Sequence, residues 1–197
     1  LGDVYKRQFV RLRKEYVMNN QKTQSVKIAK MAMLVAVSIV LVMIIHFPIF
    51  PAVAFLEYDP ADIPILIGTF AFGPVAGITL TIVTSLIQGF TVSSVSGLYG
   101  IIMHILATSA LVLVAGTVYR RNKTKKSAVI GLSAATAAMT VVMFFANMAI
   151  TPAFTGFPLS AVMDLMPFIL LFNIVKAGIN SVVTFLLYKR ISPFLHK

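Results

Sequence analysis

Asn173, Lys176 and Asn180 stand three and four residues apart in PFILLFNIVKAGINSVVTFLLY, residues 167–188. At about 3.6 residues per turn they share one helical face, with Ala177 between them. Lys176 taken with Asn173 and Asn147, an ammonium and two amides, offers many hydrogen-bond donors and few acceptors. That set suits a neutral, carbonyl-rich or anionic ligand better than a metal ion or a proton relay. A lysine at the centre of a membrane-spanning helix costs roughly 2.5–3.5 kcal/mol. Lys176 lies about 12 residues from Tyr188, roughly 18 Å by helix rise, too far to reach the interface by snorkelling. It is therefore expected to face a polar interior, a cavity or a partner.

Other polar side chains recur at helical spacing. Asn147 and Thr151 are i and i+4, with Thr140 two turns earlier on the same stripe. Thr81, Thr84, Ser85 and Gln88 form another stripe, and His104 and Thr108 a short third. Lipid cannot satisfy such groups, so they point into a bundle. The Ser/Thr stripes read as interhelical hydrogen bonding, and Asn147, Asn173 and Lys176 together as a ligand site. His104 has no carboxylate close by in sequence and reads as a packed or cavity-lining residue rather than a metal ligand. There is no nucleophile elbow, HExxH, phosphate-binding glycine loop or intramembrane di-acidic pair, so no enzyme is expected. The absence of an ATPase motif means that active transport would draw on an outside energy source.

The elements that must position these residues follow from composition. The chain is 58% hydrophobic and only 12% charged, and it contains no cysteine. Soluble domains run at about 25% charged, so an all-α integral membrane protein in one domain is expected. The apolar runs predict six helices, at 28–47, 62–72, 74–90, 98–119, 128–150 and 161–188. The second and third meet at a tight turn in FGP. Between the first two lies HFPIFPAVAFLEYDPADIP, a proline-rich loop whose FPIFPAVAFL portion is expected to lie on the membrane or fold back into it. Residues 18–27 and 191–197 are expected to be cytoplasmic tails. The leading LGDVYKRQ fits nothing downstream. Met18 reads as a natural start, so 1–17 is taken as an artefact or a disordered tail and set aside. No internal repeat supports a carrier built from inverted repeats.

The net charge is +11, and its placement decides its meaning. Lys22, Lys27 and Lys30, the RRNKTKK loop, and Lys189, Arg190 and Lys197 all fall on one side of six spans. The opposite loops and helix edges carry Glu57, Asp59, Asp62 and Asp164 instead. The positive-inside rule gives N-in and C-in, and the bases read as topology determinants beside the bilayer, not as a nucleic-acid surface. From Met18 onward, Lys176 alone departs from that cytoplasmic rim. On helix 1, Ala29, Ala32 and Ala36 make a narrow smooth face, for internal packing or for docking a separate membrane subunit.

These residues carry a resemblance. AMLVA (32–36), FLEYDPADIPILIGTFAFGPVAG (55–77), NMAITPAF (147–154) and FNIVKAG (172–178) resemble motifs of the substrate-binding S-components of energy-coupling factor (ECF) vitamin importers, of the riboflavin-binding type. The likeness covers most of residues 27–190. It implies a six-helix subunit of the bacterial cell membrane that captures riboflavin, or FMN, at the outer side. The implied pocket lies between the outer halves of helices 4, 5 and 6 and is closed by loop 1. Asn147, Asn173 and Lys176 would hydrogen-bond the ligand. Leu56, Tyr58, Asp59, Gly97, Tyr99 and Thr151 would assist. The alanine face would dock a transmembrane T-component working with two cytosolic ATPases. No cofactor is implied beyond the transported vitamin. The implied mechanism is toppling, in which the loaded subunit rotates in the membrane until its pocket opens to the cytosol. The competing readings are an S-component for another vitamin or flavin, and a stand-alone ion-coupled carrier. The latter is disfavoured by the missing repeats and the lack of mid-membrane carboxylates. On this reading Lys176→Ala weakens ligand binding and leaves the bundle folded.

Overall fold

The computed structural model describes residues 2–94 and 96–196, with side chains at 13, 18, 20–94 and 96–191. The expectation for residues 1–17 falls almost wholly on side chains outside those described. By chain contacts the protein divides into two compact units, residues 1–33 and 34–197. The second holds the cavity.

Helix α1 runs Gly2–Ile44. No Gly or Pro interrupts residues 3–44, so nothing local stops the helix upstream of the apolar run. It ends just before Phe47-Pro48, where the residue preceding proline is forced out of the helical region. The connection to the next helix is more ordered than a proline-rich loop. Strands β1 (Phe47–Pro48) and β2 (Glu57–Tyr58) pair antiparallel, Phe47 opposite Tyr58. Between them Pro51–Val53 makes one 3₁₀ turn. The apolar loop folds inward rather than lying along the membrane. Val53, Leu56 and Tyr58 pack with Val162, Met166, Ile169 and Phe172 of the last helix in one buried cluster.

Helix α2 (Asp62–Phe72) is short, and every residue from Asp62 to Phe70 is buried. A helix apolar on all sides is expected to be surrounded on all sides, and α2 packs against three other helices. Gly73, at φ 95°, turns the chain directly into α3 (Pro74–Phe90). The left-handed angle suits glycine, and Pro74 takes the first helical position, where its missing N–H costs nothing. Helix α3 has its apolar residues on the outside. Ile82, Val83, Leu86 and Phe90 are exposed, while Thr81, Thr84, Ser85 and Gln88 are buried. That is the pattern for a helix with lipid on one side and a polar interior on the other.

Helices α4 (Gly97–Arg121), α5 (Lys125–Thr155) and α6 (Leu159–His196) complete the bundle. All three exceed the expected limits, α5 and α6 by the most. Helix α5 runs through Pro152 into the segment expected to be a loop. It stops at Gly156, whose φ of 71° allows its N–H to bond back to Pro152 O. Helix α6 continues past 191 over the expected tail. Among the described residues, four segments are long and apolar enough to cross a membrane: Asn20–Ile44, Gly97–Arg121, Lys125–Thr155 and Leu159–Ile191. Helices α2 and α3 are shorter, at roughly 17 and 26 Å by helix rise.

The α2–α3–α4 contact depends on absent side chains. A Cβ on Gly116 would lie 2.7 Å from Thr69 Cγ2 and 3.2 Å from the Pro74 backbone. Thr69 is β-branched and Pro74 is fixed, so neither can yield. Gly116→Val should therefore lower the thermal unfolding midpoint in detergent, with an overpacking cost on the order of 1–3 kcal/mol. An unchanged midpoint would show the contact to be loose.

Candidate functional site

The site begins with a carboxylate in the first loop. Asp59 Oδ2 accepts from Lys176 Nζ at 2.8 Å, across 117 residues of chain. Both side chains are almost fully buried, 5% and 8% exposed. Asp59 Oδ1 accepts from Ala61 N–H at 3.1 Å, so the loop turns tightly around its own carboxylate. Burial alone would raise the Asp59 pKa. The Lys176 ammonium outweighs it, with help from His104 and the bonds to Oδ1 and Oδ2, and holds the group at about 2.

A second carboxylate sits beside the first. Asp62 opens α2 and is wholly buried. Its Oδ1 accepts from Thr108 Oγ1 at 2.7 Å and its Oδ2 from Asn180 Nδ2 at 3.0 Å. Asn180 also donates to the Asp59 backbone carbonyl at 3.3 Å and accepts from Tyr58 OH at 3.0 Å. Burial pushes the Tyr58 phenol pKa up, which keeps its proton available for that bond. Ser38 on α1 adds a bond to Ala61 O at 3.1 Å. Loop 1 is thus tied to α6 and to α1 by polar contacts in an otherwise apolar setting.

This corrects two expectations. The set of Asn147, Asn173 and Lys176 is not a group of free donors waiting for acceptors, because Asp59 already takes Lys176 and the Asn147 amide bonds Met143 O and Thr151. Buried carboxylates do stand in the bundle, so their supposed lack no longer argues against ion coupling. His104 does have an acidic neighbour in space: its Nε2 is 3.6 Å from Asp62 Oδ1, and its Nδ1 is 2.6 Å from Ser85 Oγ. Among the described residues no three His, Asp or Glu converge to hold a metal ion.

Beside this knot lies an open cavity of about 100 Å³. Leu56, Asp59, Tyr99, Asn173 and Lys176 line it, as do Ser85, Gln88 and Gly89 of α3. The α3 wall lies outside the frame of helices 4, 5 and 6. Phe55, Met103, Met139, Met143 and Phe172 supply apolar lining, the flat and adaptable surface that suits an aromatic ligand. These methionines gave no sequence signal, since core packing is the usual role for a Met at helical spacing.

Asn147, Thr151, Tyr58 and Gly97 do not line the cavity in this structure. Asn147 is fully buried, donating to Met143 O at 2.8 Å and accepting from Thr151 Oγ1 at 2.9 Å. Thr151 in turn meets Tyr99 OH at 3.0 Å. This chain of bonds anchors Tyr99, whose ring stacks on Phe154 at 3.9 Å between centroids and 6° between planes. Asn147 is therefore joined to the cavity wall through Tyr99. Gly97, at φ 48°, begins α4. Asn173 donates to Ile169 O at 2.8 Å and lines the cavity. Ala29, Ala32 and Ala36 are all exposed.

Comparison with known proteins gives this arrangement a family. The model of the ECF transporter substrate-specific component matches residues 26–188. The riboflavin transporter RibU of Staphylococcus aureus (strain TCH60) is 33% identical over 181 residues, covering 88% of this chain and 94% of that protein. The riboflavin transporter FmnP of Bacillus subtilis (strain 168) is 28% identical over 181 residues, covering 87% and 94%. A solved structure of the S component of a bacterial ECF transporter superposes with a TM-score of 0.76 at 33% identity, covering 88% of this chain and 99% of that one. Sequence and fold agree over the same stretch, the one that builds the cavity: the chain belongs to the ECF transporter substrate-specific components.

Proposed function

We propose that this chain captures riboflavin at the outer face of the bacterial cell membrane and delivers it for ATP-driven uptake. The observation that carries the reading is the cavity itself. Its apolar, Met- and Phe-rich lining meets an edge of amide and ammonium groups, in a chain whose relatives are named riboflavin transporters along almost their whole length. An isoalloxazine ring is flat and apolar on its faces, with carbonyl and imine acceptors on its edge. Asn173 and Lys176 match that edge, and Tyr99 presents a ring. Leu56 and Asp59 form the roof, with Tyr58 behind it. Asn147, Thr151 and Gly97 act by holding Tyr99 and the start of α4 or, for Asn147, by turning to the ligand as it binds.

In this account all six helices lie in the membrane, with both ends inside. Loop 1 closes the outward-facing pocket. The subunit hydrolyses no ATP and takes its energy from a T-component and two cytosolic ATPases. The exposure of Ala36 supports a docking role for the alanine face.

The lining also discriminates between flavins. Its charged groups are Glu57, Asp59 and Lys176, with His46 and His104. Lys176 is already taken by Asp59, and His46 Nε2 is 2.9 Å from Glu57. No free cation among these remains for the phosphate of FMN. Like-charge juxtaposition at such a site costs several kcal/mol.

Purified protein titrated with riboflavin, read by quenching of flavin fluorescence, should bind at micromolar concentration or tighter. FMN should bind about tenfold more weakly or worse. No binding of riboflavin or another vitamin at micromolar levels would overturn the function, and uptake into liposomes by the chain alone would favour a stand-alone carrier. Asp59 titrates below its ordinary value of 3.8. The stability it contributes is therefore complete above about pH 4 and is lost as pH falls toward 2. Melting curves should fall over that acid range in the wild type and lose that component in Asp59→Asn. From about pH 5 to 8 the pair should leave riboflavin affinity flat.

A further inference from the structure

The far end of α2 borders a second cavity. Helix α2 begins at Asp62 in the buried knot and ends at Phe72, roughly 17 Å away by helix rise. There Phe70 meets Tyr119 of α4 at 4.4 Å and Tyr188 of α6 at 5.2 Å between ring centroids. Arg120 follows Tyr119 and Lys189 follows Tyr188. These rings therefore mark the level at which apolar helix gives way to the rim of bases. Tyrosines at such a level sit where lipid headgroups begin.

At this level residues 69–73, the last turn of α2 and its exit, face the end of α4 across a cavity of about 220 Å³. Gly73 and Gly116 bring no side chain to it, and Phe70 and Tyr119 give it an apolar side. Arg120 and Lys123 reach it from α4 and the loop that follows, and both are exposed. The lining holds no Asp or Glu. Among the described residues the carboxylate pairs lie elsewhere, at His46, His104 and Lys176, so none neutralises these two bases. Two cations at one cavity repel, and an anion between them replaces repulsion by attraction. A guanidinium grips two phosphate oxygens at once, and an ammonium meets phosphate as a point charge.

We propose that Arg120 and Lys123 hold a phosphate group in this cavity, and that its source is the headgroup of an anionic phospholipid in the inner leaflet. The placement of the bases argued above sets the leaflet. A lipid fits better than inorganic phosphate because the bases stand at the membrane rim beside an apolar side made by Phe70 and Tyr119. Basic pockets between spanning helices on the cytoplasmic side are suited to such headgroups. The site lies at the opposite end of α2 from the roof of the flavin cavity, and it does not depend on what that cavity holds.

The test takes the purified full chain in neutral detergent and follows its thermal unfolding midpoint. It is titrated with phosphatidylglycerol, with phosphatidylcholine of the same chain length, whose headgroup has no net charge, and with inorganic phosphate. Phosphatidylglycerol should raise the midpoint saturably, and phosphatidylcholine should not. Arg120→Gln and Lys123→Gln should each raise the half-saturating concentration about fivefold. Lys126→Gln removes the same charge from the same basic run outside the cavity and should change it by less than about twofold. An equal response to phosphatidylcholine, no response to either anion, or equal losses in all three variants would overturn the site. If millimolar phosphate alone raises the midpoint and the same two variants abolish that, the lipid is overturned as the source. The two bases could instead merely complement the C-terminal end of the α2 dipole. Both variants would then melt lower without lipid and respond to phosphatidylglycerol as the wild type does, which also overturns the proposal.

Discussion

A lysine and an aspartate that neither water nor lipid can solvate hold this structure to its shape. Lys176 in mid-helix is tolerated because Asp59 meets it at 2.8 Å, and Asp59 can be buried because Lys176 is there. Either charge alone would carry a desolvation penalty of several kcal/mol. The pair therefore obliges loop 1 to fold down onto α6. Once the loop is there, Tyr58 reaches Asn180, Asp62 starts α2 beside Asn180 and Thr108, and Val53 and Leu56 enter the apolar cluster of α6. The cavity is what remains beneath that roof.

The rest of the bundle obeys the same constraint. Polar groups of α3 and α4 face inward and are bonded mostly to their own helices or to each other, as Thr81 is to Gly77 O and Ser85 to Thr81 O. Apolar groups face outward, where a bilayer replaces water. Paired carboxylates and amides give the interior rigidity.

Much of this was legible in the residues. The rule that places bases on one side made Lys176 an exception, and helical spacing put Asn173 and Asn180 beside it. The FGP turn was visible because glycine and proline occupy positions that each suits by backbone angle. The partner of Lys176 was not visible, because contact across 117 residues leaves no periodic trace. For the same reason His104 looked remote from any carboxylate. The hairpin in loop 1 has strands of two residues, too short to alternate, and its prolines read as mere interruption. Helix α5 passes Pro152, forgoing the bond that the missing N–H would make, and stops at Gly156. Asn147 stands out by type and spacing, yet its amide is spent within α5 and on Thr151, which no spacing reveals.

The ion pair also alters what the loss of Lys176 means. Truncating it would strand a buried carboxylate, so Lys176→Ala is not a clean binding variant, and loss of a single partner is expected to cost about 3–5 kcal/mol. The most direct measurement is a double-mutant cycle on thermal stability in detergent, using Lys176→Met, Asp59→Asn and the two together. If the pair organises loop 1 and α6, the double variant melts at or above Lys176→Met, with a coupling on the order of 1–3 kcal/mol. Additive losses, with the double variant melting lowest by the sum of the two, would contradict the account.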